Sequence, residues 1–323
     1  MNTFKLYLTF NLILTINYIS AQICKQDDRY GNAEYFSSAQ IDSLKNINYS
    51  KALNFEGKNQ DLKMDFYFPK NNLDTMEMRP FILFIHGGGF YAGSRKDYSY
   101  MSRELAKRGF VTATMSYRLG FDQSDDAGLI KAIYRAQQDA SKALSYVLAN
   151  AKKLRINNSW IFLGGGSAGA ITSLLTSYAD QEEWDKLVPG IESTLGPLHS
   201  TKNDPKQTFE IRGIYNHMGN IHPSAIDIED LIPTISFHGQ LDEVVPIGKN
   251  KYGFGSIPLH DMLSEAGICN DLTIVPQGGH DIYTTRQGTD FMINRVACFF
   301  KSLICGTCVD YIASETVLAS CSD

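Results

Sequence analysis

No stretch of this chain concentrates charge of one sign. The formal net charge is only −5 over 323 residues, without a basic stripe or an acidic tail. That excludes the electrostatic footprint of a nucleic-acid binder and offers nothing to hold an anionic membrane surface. No internal repeat and no low-complexity linker interrupts the chain, so one main domain is the simplest organisation. Beyond the N-terminus no apolar run is long enough to span a bilayer. The cysteine-containing tail has no histidine near it. Cys305-Gly-Thr-Cys308 has the spacing of a zinc or redox pair, but it lacks further ligands and a thioredoxin-like context, so it reads as a disulfide staple. No metal and no organic cofactor is expected.

What is present is ordinary for a globular protein: 43% hydrophobic and 20% charged residues, enough apolar material for a substantial core. The N-terminus stands apart. Lys5 precedes a short, mostly apolar run from Leu6 to Ser20, and polar residues begin at Lys25. This is the pattern of a secretory signal peptide over residues 1–21, cleaved after Ala21. Export would leave the protein secreted or periplasmic, with no membrane attachment after cleavage. Ala21-Gln22-Ile23 lacks the small residue that precedes a lipidated cysteine, which argues against a lipid on Cys24. The six cysteines are Cys24, Cys269, Cys298, Cys305, Cys308 and Cys321. An even number suits disulfides in an exported chain, and six allow 15 pairings, so none is assigned.

Residues 25–50 are polar and weakly patterned and read as an N-terminal arm. Leu62–Pro69 alternates and stops at proline, as a peripheral strand does. Pro80–His86 is a continuous apolar run, the mark of a strand buried on both faces. Strands are also expected at Val111–Tyr117, Ser159–Leu163, Ile211–Tyr215, Pro233–His238 and Leu272–Pro276. Helical spacing covers Asp97–Arg108, Ala127–Leu154, Ala170–Ala179, Pro258–Ala266 and Gln287–Leu303. Residues 180–209 are irregular and suit a small cap. Strands alternating with helices predict an α/β fold with a mostly parallel sheet and helices on both faces.

Chemistry enters at Gly165-Gly-Ser167-Ala-Gly169, a G-x-S-x-G pentapeptide between a strand and a helix. A serine hydroxyl is a poor nucleophile unless it is lifted clear of the sheet against a base, and a sharp strand–turn–helix does that. His86-Gly-Gly-Gly-Phe90 follows a buried strand. It lacks the G-K-[ST] ending of a phosphate loop, and its glycines suit an oxyanion-binding turn. The candidate donors are the amides of Gly88, Gly89 and Ala168. Asp242 follows a strand and is the candidate acid, preferred over Glu243. His280, on the Gly278-Gly279 turn after the last expected strand, is the candidate base. Phe90 is a candidate substrate-binding residue. Asn216 and His217, at a strand end on the face expected to carry the site, read equally as pocket lining and as a strand-end turn.

The order Ser, Asp, His, together with His86–Phe90, Ser116-Tyr-Arg-Leu119, Gln138-Asp139, His238-Gly239 and Gly279-His280, resembles the α/β-hydrolase superfamily, specifically its carboxylesterases and lipases with an HGGGF oxyanion loop. The resemblance covers about residues 50–302. It implies the α/β-hydrolase fold for 22–302, with 303–323 as a cysteine-containing tail that has no counterpart in a minimal hydrolase. It implies a serine carboxylic-ester hydrolase with Ser167, Asp242 and His280 as triad, working through an acyl-enzyme without a cofactor. In such esterases Tyr117-Arg118 and Asp139 brace the oxyanion loop and the helix preceding the nucleophile strand, and His86 orients its loop. The implied substrate is a short-chain ester, either a small molecule or an acetyl or feruloyl group on a polysaccharide. The competing readings are a serine peptidase or amidase of the same fold and a non-catalytic binding protein. Intact triad positions count against the last.

Overall fold

The computed structural model describes residues 28–198, 209–308, 310–314 and 321. The signal-peptide reading of 1–21 and Cys24 lie outside the described residues. A nine-stranded sheet forms the centre, in the order β1-β2-β4-β3-β5-β6-β7-β10-β11. β1 (Ile41–Leu53) and β2 (Asn59–Pro69) are antiparallel to each other, and β2 is antiparallel to β4 (Val111–Met115). From β4 onward every pairing is parallel: β3 (Arg79–Ile85), β5 (Ile156–Gly166), β6 (Ile211–His217), β7 (Thr234–Gly239), β10 (Asn270–Val275) and β11 (Tyr311–Ser314).

All seven residues of β3 are buried. Its alternate side chains serve two cores. Phe81, Leu83 and Ile85 pack beneath α2 (Asp126–Ala149), where Ala132, Ala136, Ala140 and Ala143 let the helix lie close to the sheet. Ile82 and Phe84 join the opposite core with Met101 and Leu105 of α1 (Ser99–Lys107) and Val296 and Phe300 of α8 (Arg286–Cys305). There Phe162 of β5 stacks on Phe300 at 4.1 Å between ring centroids. α4 (Ala168–Tyr178) and α7 (Ser256–Glu265) complete the first face through Leu174, Leu175, Leu259 and Leu263. The two short helices α5 (Gln181–Leu187) and α6 (Ile191–Leu195) occupy the described part of the expected cap.

Two expectations are corrected. The polar arm contains β1, an edge strand whose residues are mostly exposed, so it never needed an apolar repeat. The single helix expected over 127–154 breaks at Asn150. α3 (Ala151–Leu154) follows it, and Arg155 then takes a left-handed conformation that turns the chain into β5. In the tail, β11 adds to the sheet edge beside β10, with Asp271 opposite Tyr311. Disulfides Cys269–Cys308 and Cys298–Cys321 anchor it to the strand edge and to α8. Cys305 is also disulfide-bonded. Among the described residues, no helix is long and apolar enough to cross a membrane.

Candidate active site

The serine turn is built by close approach. Ser167 follows β5 with φ 53° and ψ −121°, a conformation that costs a non-glycine residue about 1–3 kcal/mol. Its amide donates to the carbonyl of His217 at 2.8 Å, which holds the strained turn against β6. α4 begins at the next residue.

The three candidate triad side chains, from the β5–α4 turn and the loops after β7 and β10, meet at one point. Ser167 Oγ lies 2.9 Å from His280 Nε2, and His280 Nδ1 lies 2.7 Å from Asp242 Oδ2. The second carboxylate oxygen, Oδ1, accepts the amides of Val244 at 2.9 Å and Val245 at 2.8 Å. Burial alone would raise the Asp242 pKa. Hydrogen bonds from His238, His280 and the Val245 amide outweigh it and hold the carboxyl well below its ordinary range. Asp242 therefore stays ionised opposite His280. The alternative acid, Glu243, points into solvent.

The loop after β3 is held from behind. Gly88 and Gly89 have φ of 96° and 59°, which glycine adopts freely. The Tyr117 hydroxyl donates to the carbonyls of His86 at 3.1 Å and Gly87 at 3.3 Å, and its ring stacks on His86 at 4.3 Å. His86 Nδ1 is 2.8 Å from the Gly87 carbonyl, and burial pushes this imidazole below its ordinary pKa. Arg118 forms a buried pair with Asp139 at 2.8 Å and donates to Gln138 Oε1. Tyr117 thus contacts the loop directly, while Arg118 ties the next residue of the chain to α2 through Asp139 and Gln138. Among the described residues, no backbone carbonyl takes the amides of Gly88, Gly89 or Ala168.

A cavity of about 500 Å³ opens at Ser167. Gly89, Phe90 and Ala168 line it, with Ile130 and Ile133 of α2 and Trp184, Leu187 and Val188 at α5. Lys251 and Tyr252, at the turn of the β8–β9 hairpin (Lys249–Asn250 and Gly253–Phe254), complete the wall. The contribution of α5 and the hairpin was not readable as individual residues. Trp184 in an irregular segment was the one signal.

Asn216 and His217 are not in this wall. Asn216 is fully buried and spends its amide on Ser236, Ser256 and Gly219. His217 sits under the turn, where burial, then the nearby His238 and His280, lower its pKa to about 3 against the opposing pull of Asp242. Of the two open readings, the pocket-lining one is corrected: β6 runs behind the serine turn, so its end supports the turn from below.

His217 makes a stability prediction. Its folded pKa of about 3 is below the ordinary 6.5, so its contribution is fully present above pH 6.5. It is lost as pH falls from 6.5 towards 3, by up to about 1.4 kcal/mol per pH unit. Tm is expected to drop steadily between pH 7 and pH 4.5. His217→Gln should flatten part of that slope, and an unchanged slope in the variant would refute the assignment.

The comparisons agree with this architecture. The curated isoprenylcysteine alpha-carbonyl methylesterase of Arabidopsis thaliana is 30% identical over 108 residues, 33% of this chain and 23% of that protein. Gut esterase 1 of Caenorhabditis elegans is 29% identical over 125 residues, 35% of this chain and 21% of that protein. The matches thus span less than a quarter of the length of these two relatives. Among solved structures, apo esterase 2 of Thermogutta terrifontis superposes with a TM-score of 0.60 at 18% identity, over 84% of this chain and 97% of that one. A truncated carbohydrate esterase from gut microbiota gives 0.52 at 19% identity, over 85% and 99%. These likenesses establish the α/β-hydrolase fold. The pattern of the BD-FAE family matches residues 64–227, just over half of the chain. Because that match runs from β2 through the serine turn to beyond β6, the chain belongs to the BD-FAE family.

Proposed function

We propose that this protein is a serine carboxylic-ester hydrolase working through an acyl-enzyme. One observation carries the reading: Ser167 Oγ, His280 and Asp242 form a continuous hydrogen-bonded chain with contacts of 2.9 and 2.7 Å at the mouth of an apolar cavity. His280 Nε2 takes the hydroxyl proton as Oγ attacks the ester carbonyl carbon. The carbonyl oxygen gains the negative charge and is met by the amides of Gly88, Gly89 and Ala168. The carbon–oxygen bond to the alcohol breaks, and His280 returns the proton to the departing alkoxide. Water, deprotonated by the same imidazole, then splits the acyl-enzyme and releases the acid. Family membership and the esterase names of the relatives support the reaction class.

Phe90 and the apolar wall suit the acyl side of short-chain esters, including acetyl or feruloyl groups carried on polysaccharides. The N-terminal leader pattern and the disulfides support a secreted or periplasmic enzyme.

The test is turnover of p-nitrophenyl acetate, butyrate, octanoate and palmitate, of acetylated xylan and of methyl ferulate, each against Ser167→Ala. Turnover that needs Ser167 supports the proposal. Its absence on every ester overturns it and sends the search to amides. Trp184 closes the cavity with its indole fixed by a 2.6 Å bond to Gln137 Oε1. Trp184→Leu is expected to raise the octanoate-to-acetate ratio of kcat/KM about 10-fold by opening room for several methylenes.

A further inference from the structure

The triad acid is not held by loop amides alone. Asp242 Oδ2, which accepts His280 Nδ1, also lies 3.3 Å from Nε2 of the fully buried His238. That same Nε2 is 2.7 Å from the carbonyl of Val245, and His238 Nδ1 is 2.7 Å from Ser256 Oγ. Two acceptors face Nε2, so Nε2 carries the proton. Nδ1 is then an acceptor, and the Ser256 hydroxyl donates to it. Ser256 Oγ in turn accepts Asn216 Nδ2 at 3.1 Å. Asn216 is fixed by a second bond to Ser236 Oγ at 3.1 Å and by the Gly219 amide on its Oδ1 at 3.0 Å. Asn216, Ser256 and His238 show no exposed surface.

We infer that Asn216, Ser256 and His238 form a buried positioning relay that sets the proton on His238 Nε2, so that His238 shares Asp242 Oδ2 with His280 and limits how strongly the carboxylate holds the His280 imidazolium. The inference rests on the esterase reading of the triad. Three elements supply the chain: β6 gives Asn216, β7 gives Ser236 and His238, and the first turn of α7 gives Ser256.

The physical consequence has a sign. A carboxylate oxygen shared between two donors gives each less than its full charge. Removing the His238 donor leaves the oxygen to His280 alone, stabilises the imidazolium and raises the pH at which His280 gives up its proton. The other titratable groups near the pair are His217, His222, Glu243, Lys251 and Asp281, and His222 lines the cavity. His217 stays neutral above a pKa of about 3. Glu243 and Asp281 point to solvent, and Lys251 lines the cavity.

The experiment uses the full chain and four forms: wild type, His238→Leu, Ser256→Ala and His238→Gln. The first readout is the pH dependence of kcat/KM on p-nitrophenyl acetate, whose acid limb reports the base in the free enzyme. The second is the pH dependence of the low-field proton resonance of the His280–Asp242 bond, which needs no turnover. In His238→Leu the acid limb should move to higher pH, with kcat/KM down about 100-fold at the optimum as the acid loses its fixed orientation. Ser256→Ala, the variant safer for folding, should move the limb in the same direction by less. His238→Gln keeps an N–H near the Nε2 position and should restore the wild-type limb. A limb and a resonance that stay at the wild-type pH in both His238→Leu and Ser256→Ala overturn the relay, whatever happens to rate or Tm. Ester turnover that survives Ser167→Ala would instead overturn the esterase reading, and the resonance would then decide the relay alone.

Discussion

Ser167→Ala is expected to lower kcat for ester hydrolysis by at least about 10,000-fold while leaving Tm within a degree or two of wild type. Both halves follow from the site. The substitution removes one oxygen, whose described contact is with the partly buried His280. The backbone bond that holds the turn, from the Ser167 amide to the His217 carbonyl, is untouched. Alanine pays the same cost for the left-handed turn as serine does. Rate is lost because the attacking atom is gone, and stability is kept because nothing else moved. Asp242→Asn should come close to the same loss, about 10,000-fold, for a different reason. The amides of Val244 and Val245 both point at Oδ1, so an asparagine must place its carbonyl oxygen there. Its NH2 then faces His280 Nδ1 and His238 Nε2. A donor opposite Nδ1 forces the proton onto His280 Nε2, and an imidazole protonated there cannot accept from Ser167. Stopped-flow rates with p-nitrophenyl acetate and melting curves check both variants. Near-wild-type turnover in either would remove Ser167 or Asp242 from the chemistry.

The buried half of this protein was readable in its sequence and the exposed half was not. β3 is flanked by other strands and covered on both faces, so it is apolar at nearly every position and stands out as a run; β5, β6, β7 and β10, also flanked on both sides, show shorter apolar stretches among polar residues. β1 is exposed along most of its length and obeys no such rule. β11 is four residues in a tail whose pairing depends on β10, which no local pattern announces. The site divides in the same way. Ser167, Gly88 and Gly89 sit in motifs whose spacing is imposed by a tight turn, so neighbours in sequence reveal them. Asp242 and His280 could be ordered by the strands they follow. Asn216 could not be assigned, because its role is defined by Ser236 and Ser256, 20 and 40 residues away. The wall contributed by Trp184, Leu187 and Val188 has the same character: it exists only once α5 is laid over the serine turn.

The second large effect is expected at Gly169, and it comes from distance rather than from backbone freedom. A Cβ at this position would lie 2.0 Å from the carbonyl oxygen of Ile85 and 2.7 Å from that of His86. Both are backbone atoms, at the end of β3 and the start of the loop that carries Gly88 and Gly89. A flexible side chain could swing aside; these cannot. A Cβ at Gly165 would meet the same Ile85 oxygen at 2.3 Å, so the two glycines pinch the end of β3 between them. Gly169→Ala should therefore cost about 3 kcal/mol or more of stability. Whatever protein still folds must shift β3 or α4, and the shift carries Gly88 and Gly89 one way or Ser167 the other. A misplacement of about 1 Å between nucleophile and oxyanion donors is enough for a 100-fold fall in kcat. Gly248→Ala is the matched control: no atom lies within 4 Å of its Cβ position, and its Tm and kcat should stay at wild type. If Gly169→Ala melted and turned over like Gly248→Ala, the serine turn would have slack that the packing at Ile85 denies, and the placement of Ser167 against the Gly88–Gly89 amides would have to rest on something other than the contact between β3 and α4.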